Sequence, residues 1–346
     1  MDSTRSRPVL LVGLPRSGTT WMADLLTRPR HLAEIYEPDN EKNDPLAWYA
    51  KRSLHRFPYL AGDDRVPEFE AFWRFVFSGR WPRTSVLYRG VQQWFRRVWG
   101  PALEAHIGEK TGLVYVDESW NRVRRGRAAY REEDHRLTAF LVARYLSTRS
   151  EGPSKSPLLV KSVHLPLALE WIAKRFDVRI VVLLRNPFGL HASYLRERYP
   201  DGCRNVLTQA TLRDRLGRLG VDPASVPLRG PDQQVGLQSL VMYRILASQI
   251  GEHPDWIVAS HDRLCADPAR ELGRILERLP EPWSRTPPEA FLEPPPDPAR
   301  LARQPIKWKK ELSEEDYGTT LRLIDAFRLG PFLSDHVYSE AFDYTR

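Results

Sequence analysis

The sequence predicts an α/β fold: a central, mostly parallel sheet flanked by helices, with one large and mainly helical insertion. Short apolar runs repeatedly precede amphipathic helical stretches, which is the alternation that builds parallel sheets. The first run ends in a glycine turn that opens directly into a helix. The chain has 346 residues, of which 42% are hydrophobic and 28% charged, enough for one large domain with a substantial core spanning residues 1–346. This composition excludes collagen, a coiled coil and a small disulfide scaffold, and eleven Trp argue against disorder.

Val9 to Gly13 is a continuous apolar run, the pattern of a buried parallel strand. Ser17 to Leu26 follows as a helix, with Trp21, Met22, Leu25 and Leu26 at helical spacing. A second strand is expected just before Glu37 in Ile35-Tyr-Glu-Pro38. The stretch 40–152 then carries helical patterning at Phe69 to Phe77, Val91 to Trp99 and Glu132 to Leu146, without internal repeats. It holds six of the eleven Trp, so it reads as an insertion or subdomain packed on the sheet, not as a linker. Three further strand-then-helix units follow: Leu158 to Lys161 with Leu165 to Arg175, Arg179 to Leu184 with Phe188 to Arg198, and Trp256 to Ser260 with Pro268 to Leu279. Pro280 to Pro298 contains eight prolines and is expected to run extended over the surface. Lys307-Trp-Lys-Lys310 leads into a last amphipathic helix at Glu314 to Phe327.

Cys203 and Cys265 are the only cysteines, which fits a reduced setting. Val9 to Leu14 is too short for the apolar part of a signal peptide, and no run has the length of a transmembrane helix, so the expected location is cytoplasmic. Lys plus Arg exceed Asp plus Glu by 52 to 44, a formal +8 that suggests an anionic partner. Fourteen Arg and one Lys against seven acids between Arg74 and Arg149 account for all of that excess. Its concentration in one stretch points to a local anionic partner and not to nucleic acid.

Gly13-Leu-Pro-Arg-Ser-Gly18-Thr-Thr20 lies between strand and helix with the glycine spacing of a P-loop, where backbone N–H groups and the helix dipole cradle an anion. Thr19 stands where a nucleotidase needs its lysine, and Arg16 supplies a cation earlier in the loop. In Arg185-Asn-Pro-Phe-Gly-Leu-His-Ala-Ser193, an Arg at a strand end and a Ser two turns into the next helix can both face one anion.

Pro15-Arg-Ser-Gly-Thr-Thr-Trp21 resembles the 5′-phosphosulfate loop of sulfotransferases that use 3′-phosphoadenosine 5′-phosphosulfate (PAPS), and Arg185 with Ser193 resembles their 3′-phosphate motif. Ser260-His-Asp-Arg-Leu-Cys-Ala-Asp-Pro268 is similar to the family's Tyr-Glu-Asp-Leu segment, with His261 in place of the adenine-stacking Tyr. Arg303, Lys307, Trp308, Lys309 and Lys310 look like the basic and aromatic stretch that closes over the nucleotide, within a segment spanning 280–310. The stretch 40–152 has no such match; since the donor motifs lie outside it, the resemblance implies an acceptor-side subdomain there, whose excess charge suits an anionic acceptor. The resemblance implies PAPS as sulfonate donor, bound by Pro15, Arg16, Ser17, Gly18, Thr19, Thr20, Trp21, Arg185, Ser193 and His261, with a hydroxyl-bearing sugar, glycolipid or natural product as acceptor. It places Arg16 and the loop amides on the 5′-phosphate and leaving oxygen, and Lys161 on the sulfonate.

Two residues compete for the role of base. Glu37 in Glu-Pro38 resembles the Glu-Pro of carbohydrate-type sulfotransferases, whereas Lys161-Ser-Val-His-Leu-Pro166 resembles the Lys-Thr-His-Leu-Pro of cytosolic ones with one residue inserted. Glu37 is preferred over His164. No H-E-x-x-H or C-x-x-C spacing occurs, so no metal is expected. Two other readings stay open: a P-loop kinase or nucleotidase, with Asp262 near the magnesium, and a non-catalytic polyanion-binding module around Arg122-Val-Arg-Arg-Gly-Arg127.

Overall fold

The computed structural model describes residues 7–29, 32–41, 44–51, 54–79, 93, 157–197 and 203–345. Five strands form one sheet in the order β2-β3-β1-β4-β5, and every pairing is parallel. They are β1 (Val9–Gly13), β2 (Ala33–Tyr36), β3 (Leu158–Ser162), β4 (Arg179–Leu184) and β5 (Ile257–Ser260). In the register, Leu11 of β1 lies beside Lys161 of β3 and Val181 of β4, and Tyr36 of β2 lies beside Lys161. The carboxyl ends of all the strands therefore open on one edge, the position where open α/β sheets place their ligands.

Successive side chains of a strand point to opposite faces, so a continuous apolar strand feeds two cores. Leu10 and Val12 of β1, with Ile180, Val182 and Leu184 of β4, pack into the larger core. Val9 and Leu11, with Val181 and Leu183, pack into the smaller one. On the larger face lie α2 (Pro45–Ala50), α3 (Pro67–Phe77), α4 (Leu169–Arg175) and α5 (Pro187–Arg196). After them come α6 (Cys203–Thr208), α7 (Ala210–Arg218) and the long α8 (Pro231–Glu252). The smaller face is covered by α1 (Thr19–Thr27), α9 (His261–Ala266) and α10 (Pro268–Leu276). The chain continues through α11 (Pro288–Phe291), α12 (Pro298–Arg303), α13 (Glu314–Ala326) and α14 (Gly330–His336). Among the described residues no helix is long and apolar enough to cross a membrane.

Within the expected insertion, α2 and α3 pack on the larger core, where Trp73 is fully buried and Trp48 nearly so. The expected helices at Val91 to Trp99, apart from residue 93, and at Glu132 to Leu146 lie outside the described residues. So do Arg122 to Arg127 and almost all of the basic stretch; Arg74, at its start, pairs with Glu70 on α3 at 2.8 Å.

The proline-rich segment departs from expectation. Pro280 to Pro298 is not an extended surface run but a series of short turns and one-turn helices anchored from inside. Trp283 and Phe291 are fully buried against α1, and the Trp283 indole donates to the Leu26 carbonyl at 3.0 Å. Proline spacing reports the lack of continuous helix, while the two aromatics decide where the chain lies.

Candidate functional site

The β1–α1 loop has the geometry of an anion cradle. Arg16 and Gly18 both adopt left-handed backbone, at φ 67 and φ 97. Gly18 is the N-cap of α1 and offers no side chain to the first turn, so the helix amides face outward uncapped at the positive end of the dipole. The Ser17 hydroxyl beneath is buried without a hydrogen-bond partner. A Cβ on Gly18 would lie 2.6 Å from His261 Cδ2, so only glycine lets the loop sit on that imidazole.

Arg185 leaves the end of β4 beside this loop. Its backbone is held by Tyr243 from α8, and its Nη1 donates to the Arg16 carbonyl at 3.0 Å, yet its buried Nε has no partner. Burial draws the guanidinium below its ordinary pKa, and the nearby Asp262 carboxylate opposes that shift. Ser193, two turns along α5, accepts from Arg16 Nε at 3.3 Å and from Arg196 Nη2 at 3.2 Å. The Arg16 guanidinium thus turns toward Ser193 and Glu197, which it meets at 3.0 Å. Arg196, three residues after Ser193 on the same helical face, was missed by the motif and is readable only from that spacing.

On the other side of the loop, Glu37 also adopts left-handed backbone, at φ 42, immediately after β2. Its carboxylate pairs with Lys161 through Oε1 and accepts from Asn40 Nδ2 at 3.0 Å through Oε2. Lys161 reaches Thr20 Oγ1 at 3.5 Å and lies 4.1 Å above the Tyr36 ring. Tyr36, whose hydroxyl meets Thr20 Oγ1 at 2.9 Å, is nonetheless 50% exposed.

His164 also reaches the cavity. The extra residue of Lys161-Ser-Val-His164 is absorbed after β3 in a turn where Ser162 Oγ accepts from the His164 amide at 3.1 Å and donates to Asp39 at 2.7 Å. His164 Nε2 faces the Arg56 guanidinium at 3.1 Å, and because Arg only donates, that nitrogen is the acceptor. Its Nδ1 lies 3.7 Å from Asp39. Burial, with Arg56 next, holds its pKa below the usual value, so it is neutral. Behind it, Lys51 and Glu41 form a buried pair at 2.7 Å. Burial raises the Glu41 pKa, but Lys51 and then Arg56 outweigh it and hold the carboxyl down to about 2.

These groups surround one cavity of about 900 Å³. Pro15, Arg16, Gly18, Thr19, Thr20 and Trp21 line it, as do Glu37, Lys161, His164, Arg185, Ser193, His261 and Lys307. Ser17 lies beneath the loop. Arg303 and Lys309 do not reach the lining, and Lys309 instead pairs with Asp343 at 3.0 Å. Trp308 is core: it is 1% exposed and stacks on Phe188 with centroids 4.7 Å apart. The structure adds Arg28, Asn40, Arg56, Arg196 and Arg300, which sequence motifs did not single out, and Pro294 to Asp297 form one wall. Eight Arg and Lys side chains face the cavity against three acids, so it suits a polyanion. Among the described residues no group of three or more His, Cys, Asp and Glu gathers as a metal site.

Residues 6–199 match the family model described as "Sulfotransferase domain". The chain belongs to that family. No curated protein matches it. Among solved structures, this sulfotransferase chain is similar to the sulfotransferase domain of the olefin synthase from Synechococcus PCC 7002, at 17% identity and a TM-score of 0.40, covering 95% of this chain and 97% of that one. It is also similar to the sulfotransferase domain from the curacin biosynthetic pathway, at 13% identity and a TM-score of 0.41, with 94% and 98% covered. The α/β fold expected from the sequence and the family assignment agree, and sulfotransferase-type group transfer is the activity that goes with the domain.

Proposed function

We propose that this sulfotransferase takes PAPS as its donor and moves the sulfonate to a hydroxyl of a carbohydrate, glycolipid or natural-product acceptor by in-line displacement. The observation that carries the reading is the convergence on one cavity of the uncapped N-terminus of α1 with Ser193, Arg196 and Arg185, whose buried Nε has no partner. Buried donors are almost always satisfied, so an unpaired guanidinium nitrogen beside an anion cradle fits a second phosphate next to the one at the helix N-terminus. The donor fits without a metal, since the cavity's excess of Arg and Lys supplies the counter-charge.

The reaction breaks the bond between sulfur and the phosphate oxygen and forms one between sulfur and the acceptor oxygen, releasing adenosine 3′,5′-bisphosphate. The loop amides, Thr19 and Thr20 hold the 5′-phosphate, and Arg185, Ser193 and Arg196 hold the 3′-phosphate. Arg16 bridges the two sites through Ser193. Lys161 stands between Thr20 and Glu37, so it is the cation that meets charge on the sulfonate and leaving oxygen. Glu37 takes the acceptor proton. It is preferred to His164 because the imidazole lone pair at Nε2 already accepts from Arg56. Asn40 and Lys161 fix the Glu37 carboxylate, and the exposed ring of Tyr36 beside it offers a face on which a sugar or other acceptor ring can rest.

The kinase reading loses its best residue. Asp262, which would hold magnesium, has both carboxylate oxygens engaged by Asn186 and Tyr344 and does not line the cavity. A mass-spectrometric search tests the proposal: with PAPS supplied, one component of a cell extract should gain a single sulfonate while adenosine 3′,5′-bisphosphate accumulates. Phosphorylated products formed only with ATP and magnesium would overturn it.

A further inference from the structure

Asp262 is fully buried at the end of β5, outside the cavity, and the described contacts make it a junction. Its Oδ1 accepts from Asn186 Nδ2 at 2.6 Å and from the Tyr344 hydroxyl at 3.1 Å, and its Oδ2 accepts from the Asn186 backbone N–H at 3.1 Å. Asn186 is the residue after Arg185 and caps α5 by accepting from the Gly189 N–H at 2.6 Å. Its amide also donates to the Pro305 carbonyl at 3.2 Å. The same carboxylate lies 3.9 Å from His261 Nδ1. One buried charge thereby ties together the turn carrying Arg185, the turn carrying His261, the segment at Pro305 and the C-terminal tail. The tail is seated in its own right: Tyr344 stacks on Tyr338 with centroids 4.2 Å apart, and Asp343 pairs with Lys309 at 3.0 Å.

A buried carboxylate is costly unless several donors satisfy it, and breaking such a set releases whatever it orients. The groups oriented here are the Asn186 cap and, through it, the first two turns of α5, with Arg185 just before them and Ser193 at their end. We propose that Asp262 is a positioning residue for the nucleotide's 3′-phosphate, and that Tyr344 of the C-terminal tail completes its hydrogen bonding. The proposal rests on the reading above that Arg185 and Ser193 hold that phosphate. It connects the last residues of the chain, remote in sequence from every nucleotide motif, to donor affinity.

The experiment is calorimetric titration of adenosine 3′,5′-bisphosphate and of AMP into wild type, Asp262→Asn and Tyr344→Phe, with melting curves for each. Asp262→Asn keeps the shape but faces one amide with another, and it should weaken the bisphosphate by about tenfold while AMP stays within about twofold. Tyr344→Phe removes the donor to Asp262, together with the acceptor of the Ser339 N–H at 3.2 Å, and should cost about threefold on the bisphosphate while AMP stays unchanged. If Asp262→Asn does not fold, Tyr344→Phe decides. Equal losses for both nucleotides, as a merely structural role gives, or no loss, would overturn the proposal. A wild-type protein that binds both nucleotides equally would overturn the donor reading itself, and the proposal with it.

Discussion

Replacing Arg185 by Ala tests the proposed 3′-phosphate site apart from the loop at the N-terminus of α1. The Arg185 guanidinium is buried, its Nη1 donates to the Arg16 carbonyl at 3.0 Å, and its Nε lacks a partner. A charge-assisted contact between a guanidinium fork and a phosphate is worth about 3 kcal/mol, or roughly 150-fold in Kd. The hydrogen bond to the Arg16 carbonyl contributes about 1 kcal/mol, and its loss loosens the loop for any 5′-nucleotide by roughly fivefold. Adenosine 3′,5′-bisphosphate should therefore weaken by somewhat under about 1,000-fold and AMP by only about fivefold, so that the preference for the bisphosphate collapses. Titration calorimetry at fixed ionic strength reads both, since screening would otherwise mix with the effect. If the two ligands weaken by the same factor, Arg185 does not read the 3′-phosphate, and the assignment of that site to the end of β4 fails.

Glu37→Gln should lower turnover by about 10²- to 10⁴-fold and leave the Kd for adenosine 3′,5′-bisphosphate nearly unchanged; full turnover would move the base to His164. Gly18→Ala forces a side chain onto a backbone at φ 97 and sets its Cβ 2.6 Å from His261. Bisphosphate affinity should fall by at least about tenfold, and an unchanged Kd would show that the loop does not hold the ligand. Acid should unfold the protein in two windows. His164 is held below its usual 6.5, so as pH falls past that value the unfolded chain takes up a proton that the folded one refuses. Glu41, lowered from 4.5 to about 2, stabilises the fold above the upper value and loses that contribution as pH falls toward the lower one. Denaturant midpoints should decline from neutral pH downward, and Glu41→Gln should flatten the lower window; a profile level from pH ~7 to ~3 would contradict the buried network.

Four of the five strands were legible because each is a short apolar run closed by Gly13, Lys161, Arg185 or Ser260, and continuous apolarity is what a strand buried on both faces requires, whereas β2, Ala-Glu-Ile-Tyr at the sheet edge, carries no such run. Helix starts were less so. The sequence places the helix after β3 from Leu165, but the residues around Pro166 form turns and α4 begins at Leu169. Cavity-lining groups contained in one segment could be read directly: the β1–α1 loop and the Arg185 to Ser193 pair. Sites assembled from remote segments could not. Arg56 meets His164 from 108 residues away, and Tyr344 meets Asp262 from 82. Trp308 misled for a related reason. Flanked by lysines it reads as a surface aromatic, yet the chain turns it inward onto Phe188 and Tyr317 and leaves the lysines outside.

The central claim is that the cavity at the carboxyl ends of the strands is a metal-independent site for a 3′-phosphorylated adenosine nucleotide. Thermal denaturation with added ligand tests it most directly, because a ligand at 100 times its Kd adds about 2.7 kcal/mol to stability. Adenosine 3′,5′-bisphosphate should raise the melting temperature by several degrees with a chelator present, while AMP and ATP with magnesium should do much less. Stabilisation by ATP with magnesium and none by the bisphosphate would contradict the account.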